Sequence, residues 1–274
     1  MSTYECYDRV AASYDLSRRP VGTEVIAGLL TLTGRPLGEV SLLDAGCGSG
    51  LYAEALIGQV GRLAAIDFSE GMLARARAKL EPTGKASLLR ASILDLPFAD
   101  DSLDAVMFNQ VLHHLEPGDD PDYGGHAKAL GEARRVLRPG GVAVINICSH
   151  EQLRQGFWYY DLIPQALEAT LARCVPVARL REIIETVGLA FAERVVPLDA
   201  VMQGGAYFDP RGPLDPAWRA GDSIWALAPE DEQGDAIARV QALDAGGALE
   251  SYLAERDARR PHCGQFTFLA ATKA

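Results

Sequence analysis

A chain of 274 residues, 48% hydrophobic and 23% charged, is long enough to bury one large α/β core with an added cap. Its formal net charge of −11 and pI of about 4.9 repel nucleic acid at long range and argue against a polynucleotide partner. No run of about eighteen apolar residues marks a membrane span, and Met1-Ser2-Thr3-Tyr4-Glu5 lacks the basic and apolar parts of a signal peptide. The five cysteines (Cys6, Cys47, Cys148, Cys174, Cys263) are scattered, and none is paired as C-x-x-C. That spacing suggests neither a metal site nor a disulfide framework, and the expectation is a reduced, cytoplasmic protein.

Val25, Ile26, Leu29 and Leu30 recur at helical spacing and predict a helix against a sheet. An apolar strand then runs from Val40 to Asp44 into Gly46-Cys47-Gly48-Ser49-Gly50, with a helix predicted over Leu51 to Val60. Glycines allow a tight turn that a ligand can press against, and the helix start offers unpaired N–H groups. Such a turn sits where open α/β sheets bind nucleotides, beyond the carboxyl ends of the strands. Leu51 replaces the last glycine of a dinucleotide fingerprint, and no Gly-Lys-Ser/Thr follows, so neither a dehydrogenase site nor a phosphate loop fits. The Asp44 carboxylate would repel a pyrophosphate but suits a ligand bearing an ammonium and a sulfonium.

Further along, strands are predicted over Arg62 to Asp67, Ala86 to Arg90, Leu103 to Phe108 and Val142 to Cys148. Helices are predicted over Glu70 to Leu80, capped by Ser69, and over Gly125 to Leu137. Glu116 to Pro121 reads as a polar loop, and Arg138-Pro139-Gly140-Gly141 as a turn.

Five of these segments, in order, resemble the class I S-adenosylmethionine-dependent methyltransferases, in particular the small-molecule, type 11 and ubiquinone-biosynthesis-like group. They are Leu42 to Gly50, Ala65-Ile66-Asp67-Phe68-Ser69, Asp95-Leu96-Pro97-Phe98 with Ser102-Leu103-Asp104, Val111-Leu112-His113-His114-Leu115, and Leu137 to Gly141. The resemblance covers positions 4 to 150 and, more loosely, the final strand. It implies a Rossmann-like, doubly wound seven-stranded sheet of order 3-2-1-4-5-7-6 with strand 7 antiparallel. It also implies S-adenosylmethionine as cofactor, S-adenosylhomocysteine as product, and in-line methyl transfer to a small-molecule acceptor.

Carried onto this sequence, the family pattern gives a set of candidate cofactor contacts. Tyr14, in the lid-like stretch Tyr7 to Asp15, brings a ring or hydroxyl to the sulfonium, or else packs in the core. Arg19 meets the methionyl carboxylate. Asp44, Ala45, Gly46 and Gly48 form the loop, Asp67 accepts from both ribose hydroxyls, and Phe68 and Met72 sandwich the adenine. Where relatives carry an Asp for the adenine amino group, this chain has Ser92, followed by Ile93; Asp95 reads as a turn. The Asn109 carbonyl accepts from the cofactor's ammonium. His113 is the candidate general base and His114 a structural neighbour. Adjacent histidines point apart, so no metal site is expected there.

Beyond His150 the resemblance fades, and substrate choice is expected there. Glu151 to Cys174 reads as helical, with Trp158 and Tyr160 as candidate substrate contacts or as packing. A helix over Leu180 to Val187, a strand over Ala190 to Val196 and a last strand over Gln265 to Thr272 complete the sheet. Residues 197–263 form an insertion read as a cap, with Arg211, Asp222 and Trp225 as candidate contacts. The division expected is a cofactor-binding core with an N-terminal lid (1–150), a helical substrate region with strand 6 (151–196), the cap (197–263) and the final strand (264–274). Two rivals remain: a metalloid or thiol S-methyltransferase using Cys6, Cys148 and Cys174, and a protein that binds S-adenosylmethionine without transferring methyl.

Overall fold

The computed structural model describes residues 19–115 and 122–274. Strands β1 (Ser41–Ala45), β2 (Arg62–Asp67), β3 (Ala86–Arg90), β4 (Leu103–Asn109) and β5 (Leu137–Ile147) run parallel in the order β3-β2-β1-β4-β5. Beside β5 lies the antiparallel β7 (Thr267–Thr272), and beyond it β6 (Ala190–Val195). This is the order 3-2-1-4-5-7-6 with strand 7 antiparallel that the sequence predicts.

Alternate residues of each strand point to opposite faces, so neighbours feed two different cores. Leu42, Ala65, Met107, Val144 and Phe268 face one layer, and Leu43, Ile66, Phe108, Ile145 and Leu269 the other. A strand covered on both sides needs a continuous apolar run, which is what β4 and β5 carry. Helices α1 (Thr23–Leu30), α2 (Leu51–Leu56) and α3 (Glu70–Leu80) add Ile26, Leu30, Leu56 and Leu80 to the first layer. On the second face, α4 (Gly124–Val136) contributes Leu130 and Val136.

Two polar clasps fix the lower sheet and its loops. Asp104 on β4 is 3% exposed and accepts from Ser41 N and from Arg138 Nη1, both at 2.8 Å. The Asp95-to-Phe98 stretch is held by α4: Glu132 accepts from Leu96 N at 2.8 Å, and Arg135 donates to the Leu96 and Phe98 carbonyls at 2.8 Å each.

The segment from 151 to 174 is not one helix. It divides into α5 (His150–Gln155), a 3-10 turn over Trp158–Leu162, and α6 (Pro164–Arg173). A Cβ on Gly156 would lie 2.5 Å from the Gly264 carbonyl, so the chain is pinned there, and Pro164 can only begin a helix. Two other bounds shift: α2 stops at Leu56, and β5 starts at Leu137, taking Arg138-Pro139-Gly140-Gly141 into the strand.

Helix α7 (Val177–Thr186) returns to the second face with Leu180 and Ile184. Between β6 and β7 the insertion forms α8 (Pro216–Ala220), α9 (Glu230–Ala245), α10 (Leu249–Asp257) and α11 (Arg260–Cys263), with two short 3-10 turns before α8 and one between α8 and α9. Its Tyr207, Trp225, Val240 and Tyr252 pack with Trp158, Tyr159 and Tyr160 in a single cluster continuous with the first layer. Among the described residues, no helix is long and apolar enough to cross a membrane.

Candidate functional site

The carboxyl ends of β1, β2 and β4 surround a cavity of about 120 Å³. Its floor is the turn after β1. Gly46 and Gly48 have φ of 82° and 55°, a region that a side chain disfavours. A Cβ on Gly46 would lie 2.5 Å from Val111 Cγ2, whereas one on Gly48 meets nothing within 4 Å. Gly46 is therefore required by packing, and Gly48, in the cavity wall, leaves space that any larger residue would take up. The turn is tied to β2 by Gly46 N and Cys47 N, which both donate to the Ile66 carbonyl, at 2.9 and 2.8 Å.

Two carboxylates frame this turn, and they differ. Asp67 accepts from Gly48 N at 2.8 Å with one oxygen and from Ser69 N at 2.9 Å with the other. Burial raises its carboxyl above the ordinary value, and these N–H donors oppose the rise. Asp44 is 1% exposed, and neither of its oxygens has a hydrogen-bond partner among the described residues. Burial first, then the charge of Asp67, push its carboxyl up to about 7, against the influence of the nearby Asn109 side chain. Asn109, at the end of β4, is itself buried, and among the described residues neither of its side-chain polar atoms has a hydrogen-bond partner.

The remaining expected contacts fall as follows. Arg19, Phe68, Met72, Ser92 and Ile93 line this same cavity. Phe68 stands at the rim, with the Arg90 guanidinium 5.3 Å from its ring centre, while Met72 is buried. The Ser69 hydroxyl caps α3 by accepting from Met72 N at 3.2 Å. The Ser92 hydroxyl accepts from Leu94 N at 3.2 Å, in a small turn that bridges to Asp95, and Asp95 is outside the wall. Ala45 is also outside the wall, its side chain buried in the second layer. Tyr14 lies outside the described residues.

A larger cavity, of about 480 Å³, adjoins the first between the sheet edge and the insertion. Gln110, His114 and Met202 belong to both walls. His113 lines the larger cavity alone, with its ring 4.1 Å from that of His114. Tyr160, Asp222 and Trp225 are also in its wall. Trp158 is not: it is fully buried and donates Nε1 to the Tyr207 carbonyl at 2.7 Å, a core contact. Arg211 is exposed and forked onto Asp244 at 3.0 and 2.6 Å, away from both cavities. Among the described residues, no group of three or more His, Cys, Asp or Glu is arranged to hold a metal ion.

Sequence reasoning missed a polar chain that runs behind both cavities. Tyr52 OH donates to the Val21 carbonyl at 3.2 Å and accepts from Asn146 Nδ2 at 3.3 Å. Asn146 Oδ1 accepts from Gln110 Nε2 at 3.0 Å, and Gln110 Oε1 accepts from the Cys148 thiol at 3.6 Å. Gln110 adopts φ of 50°, a strained conformation at the boundary of the two cavities. The available signal was Asn146, a polar residue inside the apolar run Val142 to Ile147.

Comparison with known proteins bears on this geometry. A family profile described as a methyltransferase domain matches residues 43–145. The chain is 33% identical, over 176 residues, to a demethylmenaquinone methyltransferase of Clavibacter sepedonicus, covering 62% of this chain and 67% of that one. Among solved structures, a putative methyltransferase from an antibiotic biosynthesis pathway of Anabaena variabilis superposes with a TM-score of 0.72 at 21% identity. That match covers 93% of this chain and 99% of the other. A geranyl diphosphate C-methyltransferase of Streptomyces coelicolor, solved with Mg2+, geranyl diphosphate and S-adenosylhomocysteine, gives a TM-score of 0.51 at 15% identity, covering 92% and 79%.

Proposed function

The chain belongs to the class I S-adenosylmethionine-dependent methyltransferases, and from that membership we propose that it methylates a small, largely apolar molecule seated in the larger cavity. The observation that carries the proposal is the common wall of Gln110, His114 and Met202, which sets the turn site against a larger, mostly apolar cavity.

The chemistry of the smaller cavity fits the cofactor. Buried polar atoms without partners are costly, and among the described residues the Asp44 carboxylate and the Asn109 amide, close to each other in one wall, make no hydrogen bond within ordinary geometry. A cationic amino group would satisfy Asp44, and the absent Cβ of Gly48 leaves room for it to approach. Each Asp67 oxygen already takes one N–H and retains capacity for a ribose hydroxyl. Phe68 and Met72 offer apolar surfaces for the adenine, Ser92 and Ile93 flank its edge, and Arg19 suits the carboxylate end.

When bound, S-adenosylmethionine would supply a methyl group on positively charged sulfur: an acceptor nucleophile would bond to the methyl carbon in line as the C–S bond breaks, leaving S-adenosylhomocysteine. The protein's own part is to align the two cavities and keep water out. An imidazole can take the acceptor's proton, and membership of both walls favours His114 over His113 for that role. Gln110, anchored by Asn146, holds the boundary between the two sites.

A soft acceptor is the second reading, because Cys148 and Cys174 both line the larger cavity. Burial pushes the Cys174 thiol up to about 11, which keeps it protonated and makes it a poor ligand near neutral pH. The deciding assay incubates the protein with S-adenosylmethionine and a panel of phenolic, carboxylic, amine and thiol acceptors plus arsenite, and follows S-adenosylhomocysteine. The expected result is turnover with apolar organic acceptors that survives Cys148→Ser and Cys174→Ser. Binding of the cofactor without product from any acceptor would leave only a carrier role.

A further inference from the structure

The wall of the larger cavity is mostly apolar, but its charged residues are Arg173, Arg219 and Asp222. The one acid is already engaged. Asp222, 5% exposed, accepts from Tyr159 OH at 2.5 Å and Tyr160 OH at 3.2 Å, and its other oxygen accepts from Ile224 N at 3.3 Å. Arg219 is half-buried; it donates Nη1 to the Pro213 carbonyl at 2.6 Å and forms no ion pair among the described residues. The Trp225 indole N–H, buried in the same wall, also has no partner among the described residues. Arg219 and the Trp225 N–H are therefore donors with capacity to spare in a wall whose carboxylate, Asp222, is already engaged.

That balance opposes the molecule as a whole. A chain of net charge −11 has ample acid to neutralise a structural arginine, yet Arg219 has no acidic partner among the described residues. A guanidinium partly withdrawn from water is stabilised by a hydrogen-bonded anion, and its planar fork matches a carboxylate.

We propose that the acceptor is an anionic amphiphile, with an apolar body against Ile224 and Trp225 and a carboxylate or similarly compact anion held by Arg219, with Arg173 in the same wall. This rests on the reading of the larger cavity as the acceptor site. Arg219 holds the charged end and leaves the apolar remainder of the molecule to extend toward the boundary at His114.

The test uses two probes of nearly equal shape, 1-naphthoate and 1-naphthalenemethanol, titrated calorimetrically into the full-length protein. The expected result is that the carboxylate binds about tenfold or more tightly than the alcohol. Arg219→Gln removes most of that preference without changing alcohol affinity, which also reports an intact cavity, and Arg219→Lys restores part of it. Equal binding of both probes to the parent protein, or equal weakening of both by Arg219→Gln, overturns the proposal. No methyl transfer is needed for this readout. Preferential binding of naphthoate without S-adenosylhomocysteine formation from any acceptor would count against the catalytic reading alone. Turnover confined to uncharged acceptors would count against the anion site alone.

Discussion

Asp44 is the residue whose environment says most about its use. Its carboxyl is raised from 3.8 to about 7, so the folded protein keeps a proton that the unfolded chain would release. Such a group contributes stability that is fully present below the unfolded value and lost as pH rises through about 7. A cationic ligand needs the ionised form, so its affinity runs the other way. Binding of S-adenosylmethionine should weaken as pH falls below about 7, approaching tenfold per unit, and Asp44→Asn should bind weakly with that slope removed. Titrations between pH 5.5 and 8 would check this, and a parent slope matching the variant's would contradict it. Asp44, Gly46, Gly48 and Asp67 were legible in the sequence because turn chemistry is local. The left-handed Gln110 was not, since nothing in a glutamine announces a positive φ. Trp158 and Tyr160 were not separable either, because the assumed helical face is in fact a 3-10 turn.

Among elements, α5 is held by one side chain. Gln152 completes a capping box with Ser149, its side-chain oxygen accepting from Ser149 N at 2.8 Å while its own N–H donates to the Ser149 hydroxyl oxygen at 3.2 Å. Its amide also donates to the carbonyls of Cys263 at 3.0 Å and Phe266 at 2.7 Å, and its oxygen accepts from Thr267 Oγ1 at 3.1 Å. One residue thus joins the start of α5 to the start of β7. Gln152→Ala leaves several buried groups unpaired and should cost about 2–4 kcal/mol in equilibrium urea unfolding. A loss within about 0.5 kcal/mol would mean that water replaces these bonds freely. The break between α5 and α6 was missed in the sequence reading, although Gly156 and Pro164 carried its signal, since the residue before a proline avoids the helical region. The Gln152 clasp carried no such signal, because its partners lie more than a hundred residues away.

For the whole molecule, the family resemblance carried by the ordered motifs implied the sheet topology, and the sheet in turn fixed where the smaller cavity opens. The larger cavity was out of reach of such reasoning. Its wall draws Gln110 and His114 from beyond β4, Cys148 from beyond β5, and Met202 and Trp225 from the insertion. The aromatic cluster that seats the insertion, Tyr159 against Trp218 and Trp225 with Asp222 beneath, joins segments with no local sequence signal between them. The account as a whole stands on the smaller cavity being the cofactor site. Calorimetric titration of S-adenosylmethionine into the parent protein, Gly48→Val and Asp67→Ala, each shown by circular dichroism to be folded, tests this most directly. Each variant should lose at least about tenfold in affinity, close to 1.4 kcal/mol. Parent-like affinity in both folded variants would contradict the account.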